Sequence, residues 1–541
     1  MRQHPQCQFP ARYAWLKEEL GFDSAHPPQQ TCLRFKKWRS KLDVESVAMI
    51  FAAAYMDNPA SMYGHTFLRL NRKGHKGSER LLDYAVNFSA VTNTRSGILF
   101  AMLGLMGGYE GHFSTLPYYI KVQEYTNLQS RDLWEYQLNL TDEQIDRLVN
   151  HLWEMGSTYF DYYFLDENCS YQLLPLLEIA DPSLHLTDAF GPRVIPIDTV
   201  RILMEQPGLV SDVFHRPSHM NEMLERRSFL SSGEIQVAER IAAEGDESGF
   251  RLLEQYPIER RRLILDTAYD FFRYRAGFTR DQSRKVKLHE RHILLNRRKL
   301  GVGISKSESE NSENTPDPVS GHKTGRFGIA FGVSQNRTFE EISLRPALHD
   351  LVSFDTGYIP DSHLEMFHLR LRFDNEMEKG FIEEIRFVEI VSLTPFDSWI
   401  RKPSWKFGFG FDLAKELGCI QEVDCLYFGL NAGRGYTVKT MIWKGETLYL
   451  LPELDFGVGG VFDDNYRLGG GGTSGILLNL SAFWRINVEG TYLHYPLGDK
   501  RPNAKVGIKQ VFRVSDDINF RLNLQREGSY KEALFMVSRY F

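Results

Sequence analysis

Trp405-Lys406-Phe407-Gly408-Phe409-Gly410-Phe411-Asp412-Leu413 places large apolar side chains at every second position, with Lys, Gly, Gly and Asp between them. Only an extended strand sorts such a pattern onto two faces, one apolar and one polar. The same period returns on either side. Phe367, Leu369, Leu371 and Phe373 alternate with His368, Arg370 and Arg372. Leu478, Leu480, Ala482, Trp484, Ile486 and Val488 alternate with mostly polar partners, as do Phe520, Leu522 and Leu524 with Arg521, Asn523 and Gln525. Strands of roughly ten residues plus turns let residues 321–541 hold about ten to twelve strands. A soluble sandwich also alternates. Strand length, the charge on the polar faces and a chain that runs as strand to Phe541 favour an outer-membrane barrel instead. In the last strand Arg539 shares the face of Phe535, Val537 and Phe541. The run Gly469 to Gly472 lacks the Lys and Ser/Thr of a phosphate loop and reads as a barrel turn.

Composition agrees with a membrane reading that uses no helix. The 541 residues are 42% hydrophobic, 25% charged and 13% aromatic, so global disorder is excluded and an aromatic excess needs a location. Mean hydropathy is −0.35. The most apolar stretch, Gly97 to Gly108, is too short for a transmembrane helix. Net charge is −6, so the chain as a whole is not built to grip nucleic acid.

Five cysteines stand at 7, 32, 169, 419 and 425. In an oxidising compartment Cys7 pairs locally with Cys32 and Cys419 with Cys425, leaving Cys169; in the cytosol all five stay reduced. No metal-binding spacing is present, and in His289-Glu290-Arg291-His292 the histidines stand three apart rather than the four a zincin helix needs. No cofactor is expected. Met1 to Pro10 has no apolar core, so the chain as written shows no signal peptide, and its start reads as a mature or truncated end.

Before the alternating region the pattern is mixed. Thr141 and Gln144 form a capping box ahead of Ile145, Leu148, Val149, Leu152 and Met155, predicting a helix over 142–156. A second helix is expected from about Cys169 to Asp181-Pro182, and strands over 65–70 and 82–88. Residues 260–300 are helical and basic, with thirteen Lys or Arg against four acids. Such a run is a solvated helix face or a lipid-headgroup contact. Residues 304–323, almost free of apolar side chains, read as a linker.

Chemistry belongs to this first part. A cysteine at the first turn of a helix lies near free N–H groups and the positive end of the dipole, which favours a thiolate nucleophile. A histidine at the start of a strand, after a glycine, can serve as its base. Cys169 and His65 have these positions. On spacing alone a core cysteine and a structural histidine fit equally.

Four blocks add a resemblance: Ala60-Ser61-Met62-Tyr63-Gly64-His65-Thr66-Phe67-Leu68-Arg69, Asp83-Tyr84-Ala85-Val86-Asn87-Phe88, Tyr119-Ile120-Lys121-Val122 and Phe164-Leu165-Asp166-Glu167-Asn168-Cys169-Ser170-Tyr171. Together they resemble the periplasmic domain of the Lnb family of bacterial lipoprotein N-acyltransferases. The resemblance implies an α+β papain-like thiol fold in permuted order, with Cys169 as nucleophile and His65 as base. The orienting group is Asn87 or Asp83, with Asn87 preferred because an amide holds an imidazole without a buried charge. Asn168 supports an oxyanion or caps the helix, and Tyr63 is a further candidate for support. Lnb enzymes are anchored by transmembrane helices, and this chain departs from them there.

The expected organisation is an N-terminal extension over 1–40, the Lnb-like catalytic domain over 41–190, a helical region over 191–303, the linker over 304–323, and an antiparallel outer-membrane-type barrel over 324–541. The expected function is a cell-envelope thiol acyltransferase working on lipoprotein or phospholipid acyl groups through an acyl-thioester. Its partners are the outer-membrane bilayer and that substrate, with the catalytic domain in the periplasm. The alternatives are a cysteine peptidase or amidase on cell-wall peptide, and a non-enzymatic barrel carrying a vestigial domain.

Overall fold

The computed structural model describes residues 4–22, 28–56, 61–94, 96–245, 247–279, 283–301, 315–419, 425–442 and 445–541. Residues 304–314 of the expected linker lie outside them. The chain divides into two compact units, Met1–Thr315 and Pro316–Phe541.

The first unit is α+β. Its seven strands are β1 (Val44–Ala52), β2 (His65–Arg72), β3 (Tyr84–Ala90), β4 (Tyr109–Pro117), β5 (Leu133–Leu138), β6 (Phe160–Tyr162) and β7 (Val210–Arg216). They form one sheet in the order β6-β4-β3-β2-β1-β5-β7, with each pair antiparallel. β1 is buried on both faces from Val47 to Ala52 and β2 from Thr66 to Asn71, as central strands are. β7 comes from the region read as helical. Pro207-Gly208 and Pro217 bracket a short run containing Val210, Val213 and Phe214, which pairs with β5 as an edge strand.

The helix Asp142–Met155 forms as expected, with Thr141 Oγ1 accepting from the Gln144 N–H and Gln144 Oε1 accepting from the Thr141 N–H. It turns Ile145, Leu148, Val149 and Leu152 into the core. Its buried Glu154 accepts the Ala11 and Arg12 N–H groups at 2.7 and 3.0 Å, capping the helix Pro10–Leu20. Cys7 is disulfide-bonded to Cys32 and Cys419 to Cys425, and Cys169 is free.

The second unit contains β8 (Arg326–Ser334), β9 (Arg337–Arg345), β10 (Ala347–His349), β11 (Ser362–Asp374), β12 (Lys379–Ser392), β13 (Ser404–Leu413), β14 (Leu426–Lys439), β15 (Thr447–Val458), β16 (Tyr466–Ser481), β17 (Trp484–Gly498), β18 (Asn503–Arg513), β19 (Ile518–Glu527) and β20 (Tyr530–Tyr540). β20 pairs with β8, and β9 pairs with β11, so the antiparallel sheet closes on itself as a twelve-stranded barrel with β10 as a short addition beside β11. Closure removes the sheet edges.

On most strands the alternation sorts as the sequence predicts, but the run Leu478 to Val488 is not one strand: it turns back at Ala482-Phe483, so that Ser481 of β16 pairs with Trp484 of β17. On β8 Phe327, Ile329, Phe331 and Val333 point outward, 40–60% exposed. On β20 Phe535, Val537 and Arg539 face out while Tyr530, Glu532, Leu534, Met536, Ser538 and Tyr540 face in. Outward phenylalanines of adjacent strands touch, with Phe387 and Phe411 rings 5.9 Å apart and Phe411 and Phe428 5.7 Å. Such an exterior is stable only against hydrocarbon. It also locates much of the aromatic excess. The glycine run 469–472 lies inside β16 rather than in a turn: a Cβ on Gly471 would fall 1.9 Å from the Tyr492 carbonyl oxygen of β17.

Inside, the barrel is filled by charge pairs. Arg372 on β11 binds Glu341 on β9 at 2.7 Å and Glu532 on β20 at 2.7 Å. Lys406 on β13 pairs with Glu453 on β15, and Arg467 on β16 with Glu416. Residues 350–361 fold into the lumen. Leu351 packs with Tyr449 and Leu451, and Val352 with Leu477 and Val511. Asp350 accepts from Arg326, Arg345 and Arg521, and Arg485 from β17 holds Asp355 at 2.7 Å and Asp361 at 2.8 Å.

Candidate active site

The site forms where β1 ends and β2 begins, since Ala52 pairs with His65 across the sheet. Gly64 makes this turn possible: its φ is +90°, and a Cβ there would sit 2.5 Å from the Phe51 ring. The backbone therefore enters β2 closely packed, and His65 is the first residue in the strand.

Asn87 of β3 reaches diagonally across the sheet to His65, with Oδ1 2.7 Å from Nε2. An amide oxygen accepts only from an N–H, so Nε2 carries the proton and Nδ1 keeps its lone pair. Asp83 does not join them. It precedes β3, about 13 Å along an extended chain from Asn87, and accepts from the Arg72 N–H at 3.1 Å and pairs with His75 Nδ1 at 2.8 Å. Of the two candidates for the orienting position, the fold brings only Asn87 to the imidazole.

Cys169 stands in a turn, and the regular helix begins only at Leu173, one turn later than expected. Asn168 caps this turn. Its Oδ1 accepts from the Ser170 N–H at 3.0 Å, the Ser170 hydroxyl at 2.6 Å and the Tyr171 N–H at 3.3 Å, and its amide donates to the Val194 carbonyl at 2.7 Å. These bonds hold an irregular turn around the cysteine and occupy both ends of Asn168 in structural contacts. Tyr63 lies half-buried in the turn ahead of His65, its phenol pKa raised by burial.

Cys169 is 5% exposed, and the Thr66 backbone N–H and the Tyr162 hydroxyl both act to lower its thiol pKa. Thr66 is the residue that follows His65. Tyr162 Oη also accepts from the Cys169 N–H at 3.2 Å. Arg131 adds a buried positive charge toward the thiol; its guanidinium donates to the Ala52 and Ala53 carbonyls at 2.8 and 2.5 Å and lies 4.8 Å from the Tyr125 ring centre. Sequence reasoning missed Tyr162 and Arg131. Tyr162 sits inside an aromatic run, Tyr159 to Phe164, and nothing local separates it from its neighbours there.

Burial raises the thiol pKa, while the Thr66 N–H, the Tyr162 hydroxyl and Arg131 pull it back down in part. His65 is pushed down to about 3 by burial, against the bond to Asn87 and with help from the Lys121 and Arg131 charges. Both shifts favour the neutral partners, so the resting pair is a thiol and a free imidazole rather than an ion pair.

The helix Gly97–Leu105 borders this segment. Its Gly104 carbonyl accepts the Phe164 N–H at 2.8 Å, and the Phe100 ring lies 5.0 Å from Phe164. Leu99, Met102, Leu105 and the following Met106 are 39–74% exposed. Here a nearly wholly apolar surface adjoins the segment that leads to Cys169.

Residues 34–206 match the Lnb N-terminal periplasmic domain. The Lnb-type match spans β1 to β6, the thiol turn and the His65–Asn87 pair. Residues 315–540 match a domain of unknown function, DUF7840. No curated protein matches the chain. Among solved structures, the chain is similar to the KdgM porin in complex with disordered oligogalacturonate, at 9% identity over 40% of this chain and 99% of that one, TM-score 0.25. It is also similar to the COG4313 outer membrane channel from Pseudomonas putida F1, at 8% identity over 41% and 96%, TM-score 0.26. The lipid-facing barrel and the Lnb-type domain make this an outer-membrane protein with a periplasmic domain.

Among the described residues one group has metal-ligand geometry: His363, Glu365 and Glu389 in the barrel, with ligand atoms within 4.8 Å of one another. Arg345 holds Glu365 at 3.0 Å and Arg386 reaches Glu389 at 3.7 Å, so both carboxylates are already compensated. His289 and His292, the imperfect zincin pair, are spent on the Ile241 and Gly245 carbonyls at 2.8 and 3.5 Å.

Proposed function

We propose that the Lnb-type unit is a papain-like thiol acyltransferase in permuted order, working on the ester or amide carbonyl of a lipoprotein or phospholipid acyl group. The observation that carries this reading is the His65 to Asn87 hydrogen bond, with the N–H of the next residue, Thr66, favouring the Cys169 thiolate. Cys169 Sγ attacks the carbonyl carbon as His65 Nδ1 takes its proton. The Thr66 N–H and the Tyr162 hydroxyl, which both favour the thiolate, supply two donors for the developing oxyanion. Collapse expels the alcohol or amine, which leaves with the proton from His65, and an acyl-thioester remains. His65 then removes a proton from the incoming amine, or from water, as it attacks the thioester and frees the thiol. Asn87 keeps the imidazole in the tautomer these steps need.

The exposed apolar helix beside the nucleophile loop favours acyl chains over cell-wall peptide. The burial of Cys169 favours a second reading, a vestigial domain on a non-enzymatic barrel. One experiment separates them. With the other four cysteines in disulfides, Cys169 is the one thiol available to an acyl-fluorophosphonate or iodoacetamide-type probe. Labelling of the native chain that disappears in Cys169→Ala and Cys169→Ser supports the thiol enzyme. Labelling unchanged by the substitution, or absent from the native chain, supports the vestigial reading.

A further inference from the structure

The basic region separates into two helices with different uses of charge. In the helix Ile258–Thr279 the cations serve the fold: Arg260 pairs with Glu234, Arg261 donates to the Tyr256 carbonyl at 2.5 Å, and Arg262 donates to the Leu300 carbonyl at 3.0 Å. The helix Arg284–Lys299 is built otherwise. One side packs inward, with Ile293 fully buried, the His289 ring 4.5 Å from Phe272, and Arg297 bound to Asp266 at 2.8 Å.

The opposite side is a stripe at helical spacing. Arg284, Leu288, Arg291, Leu295 and Arg298 succeed one another on one face. Lys285, Lys287 and Lys299 flank them, and all eight are exposed, with Leu288 at 46% and Leu295 at 42%. The helix's one carboxylate, Glu290, is turned aside to accept from the Tyr269 hydroxyl at 3.2 Å. Six exposed cations interleaved with leucines, and no exposed carboxylate on the helix, complement a surface that is negative and has hydrocarbon just beneath it. A soluble partner with an acidic patch would match the charge and leave the leucines in water. The chain's own barrel already requires a bilayer.

We infer that the outward face of the helix Arg284–Lys299 docks on an anionic lipid surface, with Leu288 and Leu295 entering the interface and the cations binding phosphate headgroups. Each basic residue near such a surface contributes about fivefold to partitioning, so three of them dominate the outcome.

The test uses the full chain with a nitroxide at Leu295→Cys, in a Cys169→Ala background so that only this thiol is labelled. The chain is reconstituted by its barrel into nanodiscs of phosphatidylcholine, alone or with a third phosphatidylglycerol. Collisional accessibility to oxygen and to a nickel chelate is then measured. The expected result is a shift to oxygen access and chelate exclusion in phosphatidylglycerol discs alone. Reversal in Arg284→Glu/Arg291→Glu/Arg298→Glu should abolish it. A label that stays aqueous in both lipids overturns the inference. So does a label that is shielded equally in pure phosphatidylcholine or in detergent, which would mark contact with protein. Should the reversal variant fail to fold, by circular dichroism, the same three positions changed to Gln decide: a shift undiminished in that variant also overturns the inference.

Discussion

His65 and Cys169 are held as a neutral pair, and this governs their reactivity. With the thiol pKa raised and His65 at about 3, no imidazolium is present to stabilise a thiolate in the acidic range. Alkylation of Cys169 should therefore fall about tenfold for each pH unit below the thiol pKa, because only the thiolate reacts. Rates measured from pH 4 to 9 should show no acidic plateau; a plateau would mean an ion pair. Asn87→Ala removes the acceptor of the His65 N–H, and Tyr162→Phe removes the hydroxyl proposed as an oxyanion donor while keeping the ring. Each should lower the acyl-transfer kcat by about 10²-fold or more. Tyr162→Phe should also slow alkylation below the thiol pKa, because the hydroxyl lowers that pKa, but by less than it slows acyl transfer, since no oxyanion forms in alkylation. An equal loss in alkylation and in acyl transfer would remove Tyr162 from the oxyanion role.

At the level of elements, the geometry depends on how β2 begins. Gly64 combines a positive φ with a ring packed where its Cβ would be. Gly64→Ala should cost about 1–2 kcal/mol for the backbone and about 1–3 kcal/mol more for overpacking. The loss should be read as faster amide exchange across β1 and β2, with the barrel unaffected. The thiol turn makes a similar point. The Ser170 and Tyr171 N–H groups that follow Cys169 are capped by the Asn168 carboxamide oxygen. The donors left beside Sγ come instead from β2, through Thr66, and from β6, through Tyr162.

For the molecule as a whole, two units solve separate problems. The barrel meets lipid with one side of each strand and fills its lumen with the other. Arg485, Arg521 and Arg345 bind residues 350–361 across the interior, and Arg372 links strands that are not neighbours. A lumen so occupied should carry no steady current. Planar-bilayer recordings of the full chain should show no open-channel steps, and deletion of residues 350–361 should produce them. Open-channel conductance in the native chain would contradict the filled lumen and would favour a transport role for the barrel.

The sequence by itself determined what depends on near neighbours along the chain. Alternation at Trp405 to Leu413 assigns each side chain to lipid or lumen, because the period of a strand is two whatever it pairs with. The capping box at Thr141 starts its helix locally, and the short loops between cysteines allow both disulfides. The four Lnb-like blocks single out Cys169 and His65 and leave the orienting group open between Asn87 and Asp83. Tertiary structure decided what depends on pairing. Asp83 and Asn87 are equivalent by spacing, and only the register of β2 against β3 sends one to His65 and the other to His75. Tyr162 joins the thiol because β6 adds to the edge of β4, and β7 joins the sheet through β5, contacts that no local pattern encodes. The basic run 260–300 reads as one continuous feature in sequence. Its division into cations bound within the fold and cations facing solvent came only from knowing which carboxylates and carbonyls the packed helices bring to each arginine.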